Sequence, residues 1–147
     1  MGDVKTRLDE EKLHFLEVGC GTGQMALAMA QRWPRLSSIA LEPWNPSVKL
    51  ARQRIAKYQL EDRVSIIENT IQEYSDTCTV FDFAWIASDF VSETILPLAL
   101  ERIHSHLRPS GWLWLIGIQE NGSYGNALAA LRSTWWGGEQ FNSKQAS

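Results

Sequence analysis

Leu16-Glu17-Val18-Gly19-Cys20-Gly21-Thr22-Gly23-Gln24 sets an acid two residues ahead of a loop with glycine at every second position, between an apolar run and a helical pattern. The stretch reads as a strand, a tight turn and a helix start. Glycine serves where backbone turns sharply or must let a ligand approach closely, and the N–H groups that open the next helix then face that ligand. Such a turn suits a ligand containing a nucleoside.

The spacing narrows the choice. A dinucleotide fingerprint reads G-x-G-x-x-G, whereas the third glycine here, Gly23, comes one residue early. The Glu17 carboxylate would face a pyrophosphate badly but suits an ammonium group such as that of a methionine moiety. Together these favour S-adenosylmethionine over NAD. At these residues the chain resembles the class I S-adenosylmethionine-dependent methyltransferases, whose first motif is an acid followed by x-G-x-G-x-G, and the resemblance continues to about Gly111. It implies that Glu17, Gly19, Cys20, Gly21, Thr22 and Gly23 belong to the cofactor site.

Composition limits the alternatives. The 147 residues suit one domain, and 44% hydrophobic content with 7 Trp can build a substantial core. A net charge of -3 without a basic run gives no footprint for a phosphate backbone or an anionic membrane surface, so no nucleic acid and no membrane is expected as partner. Cys20 and Cys78 lack the spacing of a disulfide framework or a metal site, which fits a reducing compartment. The charged stretch from Asp3 to Lys12 has no apolar core, and no run of about eighteen apolar residues occurs. The expectation is a soluble cytoplasmic protein without a metal.

From Leu13 onward strand and helix patterns alternate, as in a parallel sheet covered on both faces. Strands are expected at Leu13 to Val18, Ser38 to Glu42, Val64 to Glu68, Phe81 to Ala87 and Trp112 to Ile118. The first helix carries a stripe of Met25, Ala28, Met29 and Trp33 before Pro34. The second opens with Asn45 as cap and Pro46 at the first helical position, with Val48, Ala51, Ile55 and Tyr58 on one face and its Lys and Arg residues solvated. The third starts near Thr94, which puts Pro97 in the first turn, and ends before Pro109. A last helix with Leu128, Leu131 and Trp135 stops at Gly137-Gly138. The domain is expected to span residues 1–138, followed by a disordered tail over 139–147.

In an open parallel sheet the ligand lies beyond the carboxyl ends of the strands, where the strand order reverses. Glu42 ends the second strand at that edge, at the spacing of an acid that accepts both ribose hydroxyls, with Pro43 and Trp44 after it. Trp44 suits two roles, packing on the adenosine or stapling the helix that starts at Pro46. The segment from Arg63 to Ile71 resembles the family's adenine-contacting stretch. Thr70, with Asn69 beside it, stands where an Asp usually holds the exocyclic amine, and neither supplies a carboxylate's charge-assisted bond. Phe81 to Phe90 resembles the fourth motif, which places Ser88, Asp89 and Phe90 beside the transferable methyl and makes Asp89 the candidate base, the alternative for Asp89 being a helix-capping or loop acid. His14, His104 and His106 read as structural.

The resemblance implies a Rossmann-like α/β sheet of order 3-2-1-4-5 with helices on both faces. Relative to that family, Met1 to Lys12 is too short for the helices that cover cofactor and acceptor and nothing after Gly138 supplies the strand hairpin that follows the fifth strand, so an excised core or a degenerate copy is expected. Self-association through the edge strand Trp112 to Ile118 follows from that arrangement. The leading function is methyl transfer from S-adenosylmethionine to a small-molecule acceptor. A cofactor-binding unit without activity comes second and an NAD-linked oxidoreductase third.

Overall fold

A computed structural model describes residues 4–76 and 78–117. Its strands are β1 (His14–Val18), β2 (Ser37–Leu41), β3 (Val64–Ile67), β4 (Phe81–Ala87) and β5 (Leu107–Ile116), and its helices α1 (Val4–Glu10), α2 (Gln24–Arg32), α3 (Asn45–Lys57) and α4 (Leu96–His106). All strand pairs are parallel and the order is β3-β2-β1-β4-β5, as expected. The apolar continuity of β1 and β4 has a direct cause, since both faces of the sheet are covered. On one face Phe15 stacks on Phe83 with ring centroids 4.7 Å apart, and Leu8, Leu13, Met29 and Leu36 close around the pair. On the other, Leu16, Ala84 and Ile86 meet Ala99 and Ile103 of α4. Alanines Ala26, Ala30, Ala40 and Ala51 share a third cluster with Val48, Ile55 and Ile66.

That alanine packing corrects the stripe expected for α2. Ala28 is exposed and Met25 only partly covered, whereas Ala26, Leu27, Met29 and Ala30 are buried. Small side chains let α2 sit close to α3 and β2, so the buried face follows the alanines rather than the bulkiest residues. Trp33 lies just past the helix, donating its ring N–H to Asp9 over 3.0 Å. In α3, Asn45 lies inside the helix and Trp44 takes the cap position, without a side-chain capping bond. Tyr58 is exposed. Its basic residues are not simply solvated: Arg52 donates twice to the Ile66 carbonyl, at 3.1 and 2.9 Å.

The end of the chain differs most from expectation. The third helix begins at Leu96 instead of Thr94, because the Ser92 carbonyl collects the N–H groups of Ile95 and Leu96 at 2.9 Å each; Pro97 does fall in the first turn. β5 starts at Leu107, five residues before the expected Trp112, and runs through Pro109. Proline is tolerated at the start of an edge strand. The register slips between Phe81 and Phe83, and Ser110 adopts φ 67°, the signature of a bulge rather than a turn. Ile118, the expected last helix and the tail over 139–147 lie outside the described residues.

The short helix α1 has no counterpart in the sequence reading. Seven residues form no stable helix alone, and this one is held by the buried Leu8 and by Arg7. Asp82, fully buried on β4, accepts from Arg7 Nη2 at 3.1 Å and from the His14 backbone at 2.9 Å, with Arg108 Nη1 3.5 Å away. One carboxylate thus joins α1, β1, β4 and β5. Asp82→Asn keeps the shape but removes the charge, and should cost about 2 kcal/mol in urea unfolding; an unchanged midpoint would show that the two arginines contribute nothing.

Candidate active site

Val18 pairs with Leu41 on one side and Ile86 on the other, and Leu41 pairs with Ile67, so four strands end level along one edge. The chain steps from β1 outward to β3 and then returns to the far side of β1, so the order reverses between β1 and β4. The glycine loop leaves β1 at this point. Gly19, Gly21 and Gly23 have φ of 76°, 54° and 75°, conformations that side-chain-bearing residues adopt at a cost. A Cβ on Gly19 or Gly21 would meet nothing within 4 Å, so their backbone is open to a ligand. On Gly23 it would lie 3.0 Å from the Cβ of Ala51, so this glycine is there to let α3 approach.

Hydrogen bonds fix the loop from three sides. Gly19 and Cys20 both donate to the Leu41 carbonyl at 2.9 Å. The Gly21 N–H donates to Glu42 Oε2 at 2.8 Å, while Glu42 Oε1 accepts from the Trp44 N–H at 3.0 Å. From α3, Arg54 Nη1 reaches Thr22 Oγ1 at 2.8 Å and the Thr22 carbonyl at 3.2 Å. Arg54 was not legible as a site residue, because a contact across 32 positions leaves no local pattern.

Glu17 is buried, 4% exposed, and its Oε2 accepts the Ala26 N–H at 3.0 Å. Burial pushes its carboxyl up to about 7; the Ala26 bond opposes the rise and the charge of Glu42 adds to it. Cys20 is buried beside these acids and its thiol is pushed up to about 12, first by burial and then by Glu17 and Glu42. It stays protonated and is no nucleophile. Trp44, after the exposed Pro43, is 65% exposed rather than packed as a staple. Asn45 Nδ2 donates to Glu68 Oε2 at 2.7 Å and so ties α3 to the end of β3.

Past β3, Asn69 and Thr70 are both half-buried. Thr70 donates to Glu73 Oε2 from its N–H and its hydroxyl, each at 2.9 Å, and its Oγ1 accepts from the Glu73 N–H at 3.3 Å. This reciprocal pair is the T-x-x-E capping pattern, readable in Thr70-Ile71-Gln72-Glu73 but missed. It holds the Glu73 carboxyl below its usual range. At the end of β4, Ser88–Phe90 form a 3-10 turn in which Asp89 is buried and the Ser88 hydroxyl donates to the Ile116 carbonyl at 3.1 Å. His106 is buried between the carbonyls of Arg102 and Asp76, which agrees with its structural reading.

Two cavities lie elsewhere. One of about 390 Å³ is lined by Leu8, Asp9, Glu10, Arg32, Trp33 and Arg35, and another of about 240 Å³ by residues at the strand starts, including His14, Ser37, Arg63 and Thr79. Neither touches the glycine loop.

Residues 15–111 match the family described as a methyltransferase domain. The chain belongs to the class I S-adenosylmethionine-dependent methyltransferases. A malonyl-[acyl-carrier protein] O-methyltransferase of Priestia megaterium is 25% identical to this methyltransferase domain over 124 residues, which cover 84% of the chain and 43% of that protein. A bifunctional methyltransferase of Rickettsia prowazekii is 30% identical over 66% of the chain and 19% of its own length. The domain therefore spans less than half the length of these relatives. Among solved structures, the mitomycin 7-O-methyltransferase MmcR superposes with a TM-score of 0.72 at 21% identity, over 83% of the domain and 37% of that chain. PKMT2 from Rickettsia typhi, in complex with AdoHcy, superposes with a TM-score of 0.64 at 21% identity, over 71% of the domain and 20% of that chain.

Proposed function

We propose that the domain holds S-adenosylmethionine along the edge formed by Glu17, the loop from Gly19 to Gly23, and Glu42, and transfers its methyl group to a small-molecule acceptor. One observation carries this reading: the open backbone of Gly19 and Gly21 lies between two carboxylates, Glu17 and Glu42, at the reversal of strand order. Glu17 takes the ammonium group, and Gly19, Cys20, Gly21, Thr22 and Gly23 line the amino-acid portion. Glu42 accepts the ribose hydroxyls with Pro43 and Trp44 flanking the adenosine, and Asn69 and Thr70 face the adenine amine. When bound, the cofactor supplies a methyl group on positively charged sulfur, already activated for displacement. The chain's own contribution is positioning, which can supply most of the acceleration. Ser88 and Asp89, at the end of β4, orient the incoming atom in this reading, and Asp89 takes its proton.

The small-molecule choice rests on the net charge of -3 and the lack of a basic run. Two free cysteines accord with a cytoplasmic setting. No helix among the described residues is long and apolar enough to cross a membrane. The stretch Gly111 to Ile116 on β5, the outermost of the described strands on its side of the sheet, carries no charge or proline, and Leu115 and Ile116 are exposed, which supports pairing with a second copy. Sedimentation at micromolar concentration should then show dimers, and a monomer would remove that part of the proposal. The function is tested with methyl-labelled S-adenosylmethionine and a fractionated cell extract. Label should enter the small-molecule fraction and should be lost in Gly21→Val. Label in precipitated protein would overturn the acceptor class, and cofactor binding without transfer to any fraction would favour the second reading, a cofactor-binding unit without activity.

The adenine end yields its own prediction. An Asp at position 70 would add a charge-assisted bond but also face Glu73. Thr70→Asp combined with Glu73→Gln should tighten S-adenosylhomocysteine binding by about 1 kcal/mol in calorimetric titration. Weaker binding in that pair, with Thr70→Ala silent, would show that position 70 does not face the base.

A further inference from the structure

We propose that Glu17 is a proton-exchanging specificity residue: it is carried largely as the neutral acid in the empty site and gives up its proton when a ligand brings an ammonium group against it. The inference rests on the cofactor reading above and deepens it. The geometry is that of a carboxyl group largely withdrawn from water, with a single donor among the described residues. Glu17 is 4% exposed and lies in β1 between Ala40 of β2 and Trp85 of β4, neither of which carries a charge. Its Oε2 has one donor, the Ala26 N–H in the first turn of α2. Among the described residues its Oε1 has no donor, yet the fully enclosed side-chain oxygen without a partner there is Ser38 Oγ, so Oε1 is not sealed from solvent.

The groups that face Glu17 do not favour its charge. Glu42, at the end of β2, repels it, and the Cys20 thiol of the glycine loop is neutral. Among the described residues, Arg54 of α3 reaches the loop at Thr22, and no salt bridge includes Glu17. Burial and Glu42 together hold the carboxyl in the neutral range. A ligand ammonium reverses the balance, because an opposite charge at contact distance in a buried site favours the carboxylate. The exchange balances as Glu17-COOH plus ligand-NH3+ giving the ion pair and one proton released to solvent. Neutral ligands of the same shape would leave the proton in place, so the site reads charge as well as shape.

The test is calorimetry with S-adenosylhomocysteine at pH 6.0 to 7.5, in buffers of different ionisation enthalpy. The account expects between half and one proton released per ligand at pH 6.5, and an affinity that rises roughly five- to tenfold between pH 6.0 and 7.5. 5′-Methylthioadenosine, which keeps the adenosine and thioether but lacks the ammonium, should bind without proton release and without this pH dependence. Glu17→Gln should abolish the release for S-adenosylhomocysteine while the variant stays folded. As a measurement on the unaltered protein, carbon-13 carboxyl shifts of Glu17 should titrate near neutrality in the empty domain and not in the complex. S-adenosylhomocysteine bound without proton release, or equal release with 5′-methylthioadenosine, would overturn the inference and leave the cofactor reading standing. No binding of either compound at any pH would overturn the cofactor reading itself.

Discussion

Glu17→Gln should stabilise the domain at pH 8 by about 3 kcal/mol and change its stability little at pH 4. In the unfolded chain the carboxyl loses its proton near its ordinary value of 4.5, and in the folded domain burial, followed by the charge of Glu42, defers that loss to about 7. The folded state therefore binds more protons between those two values, and stability falls as pH rises from about 4.5 to about 7, then stays level. Glutamine cannot ionise and its amide oxygen can still accept the Ala26 N–H, so the variant escapes the fall. The wild-type profile contains opposing contributions: Asp76 is held below its usual range, chiefly by the Thr79 hydroxyl and then the Cys78 N–H, and loses that support in acid. The informative quantity is thus the difference between variant and wild type, measured by urea unfolding at pH 4, 6 and 8. A difference independent of pH would show that Glu17 ionises normally.

Gly23→Val should destabilise the domain by about 3 to 4 kcal/mol and abolish cofactor binding, whereas Gly21→Val should cost only about 1 to 2 kcal/mol while also weakening binding. Both glycines have left-handed φ, so both variants bear the conformational cost. They differ in space. A Cβ at Gly23 meets the Cβ of Ala51 at 3.0 Å and the Ala51 backbone at 3.5 Å, so the added side chain would force α3 off the loop and with it the Arg54 grip on Thr22. A Cβ at Gly21 enters open space, where the account puts the ligand. Equal destabilisation in denaturant would show that packing at Gly23 is not the difference between them.

These contrasts indicate what the chain discloses before it is folded. The strand order was legible through the family resemblance that Glu17 and the alternating glycines carry, while the tight glycine turn and the acid just past the end of β2 are local signals. Helix α2 was located correctly but its face was not, since Ala26 and Ala30 are buried for their smallness against α3, a fact about the neighbour rather than the helix. The extent of β5 was hidden by Pro109, which ordinarily ends a strand, and the bulge at Ser110 leaves no signal of its own. Helix α1 depends on Asp82, 75 residues away from Arg7, and so could not be read locally. At the site, the backbone cradle was legible and its supports were not: Arg54 acts across sequence. The capping pair of Thr70 and Glu73 is present as a local T-x-x-E pattern, in a segment whose resemblance points to the adenine instead.

The central claim, that the cofactor lies along the edge of Glu17, the glycine loop and Glu42, is tested most directly by amide chemical-shift mapping of the nitrogen-15-labelled domain during titration with S-adenosylhomocysteine. The account predicts saturable shifts at Gly19, Gly21, Gly23, Trp44 and Asn69, with Arg32, Trp33 and Arg35 at the α1–α2 cavity unmoved. Shifts confined to that cavity or to the strand starts around Ser37 and Arg63, with the glycine loop silent, would contradict it.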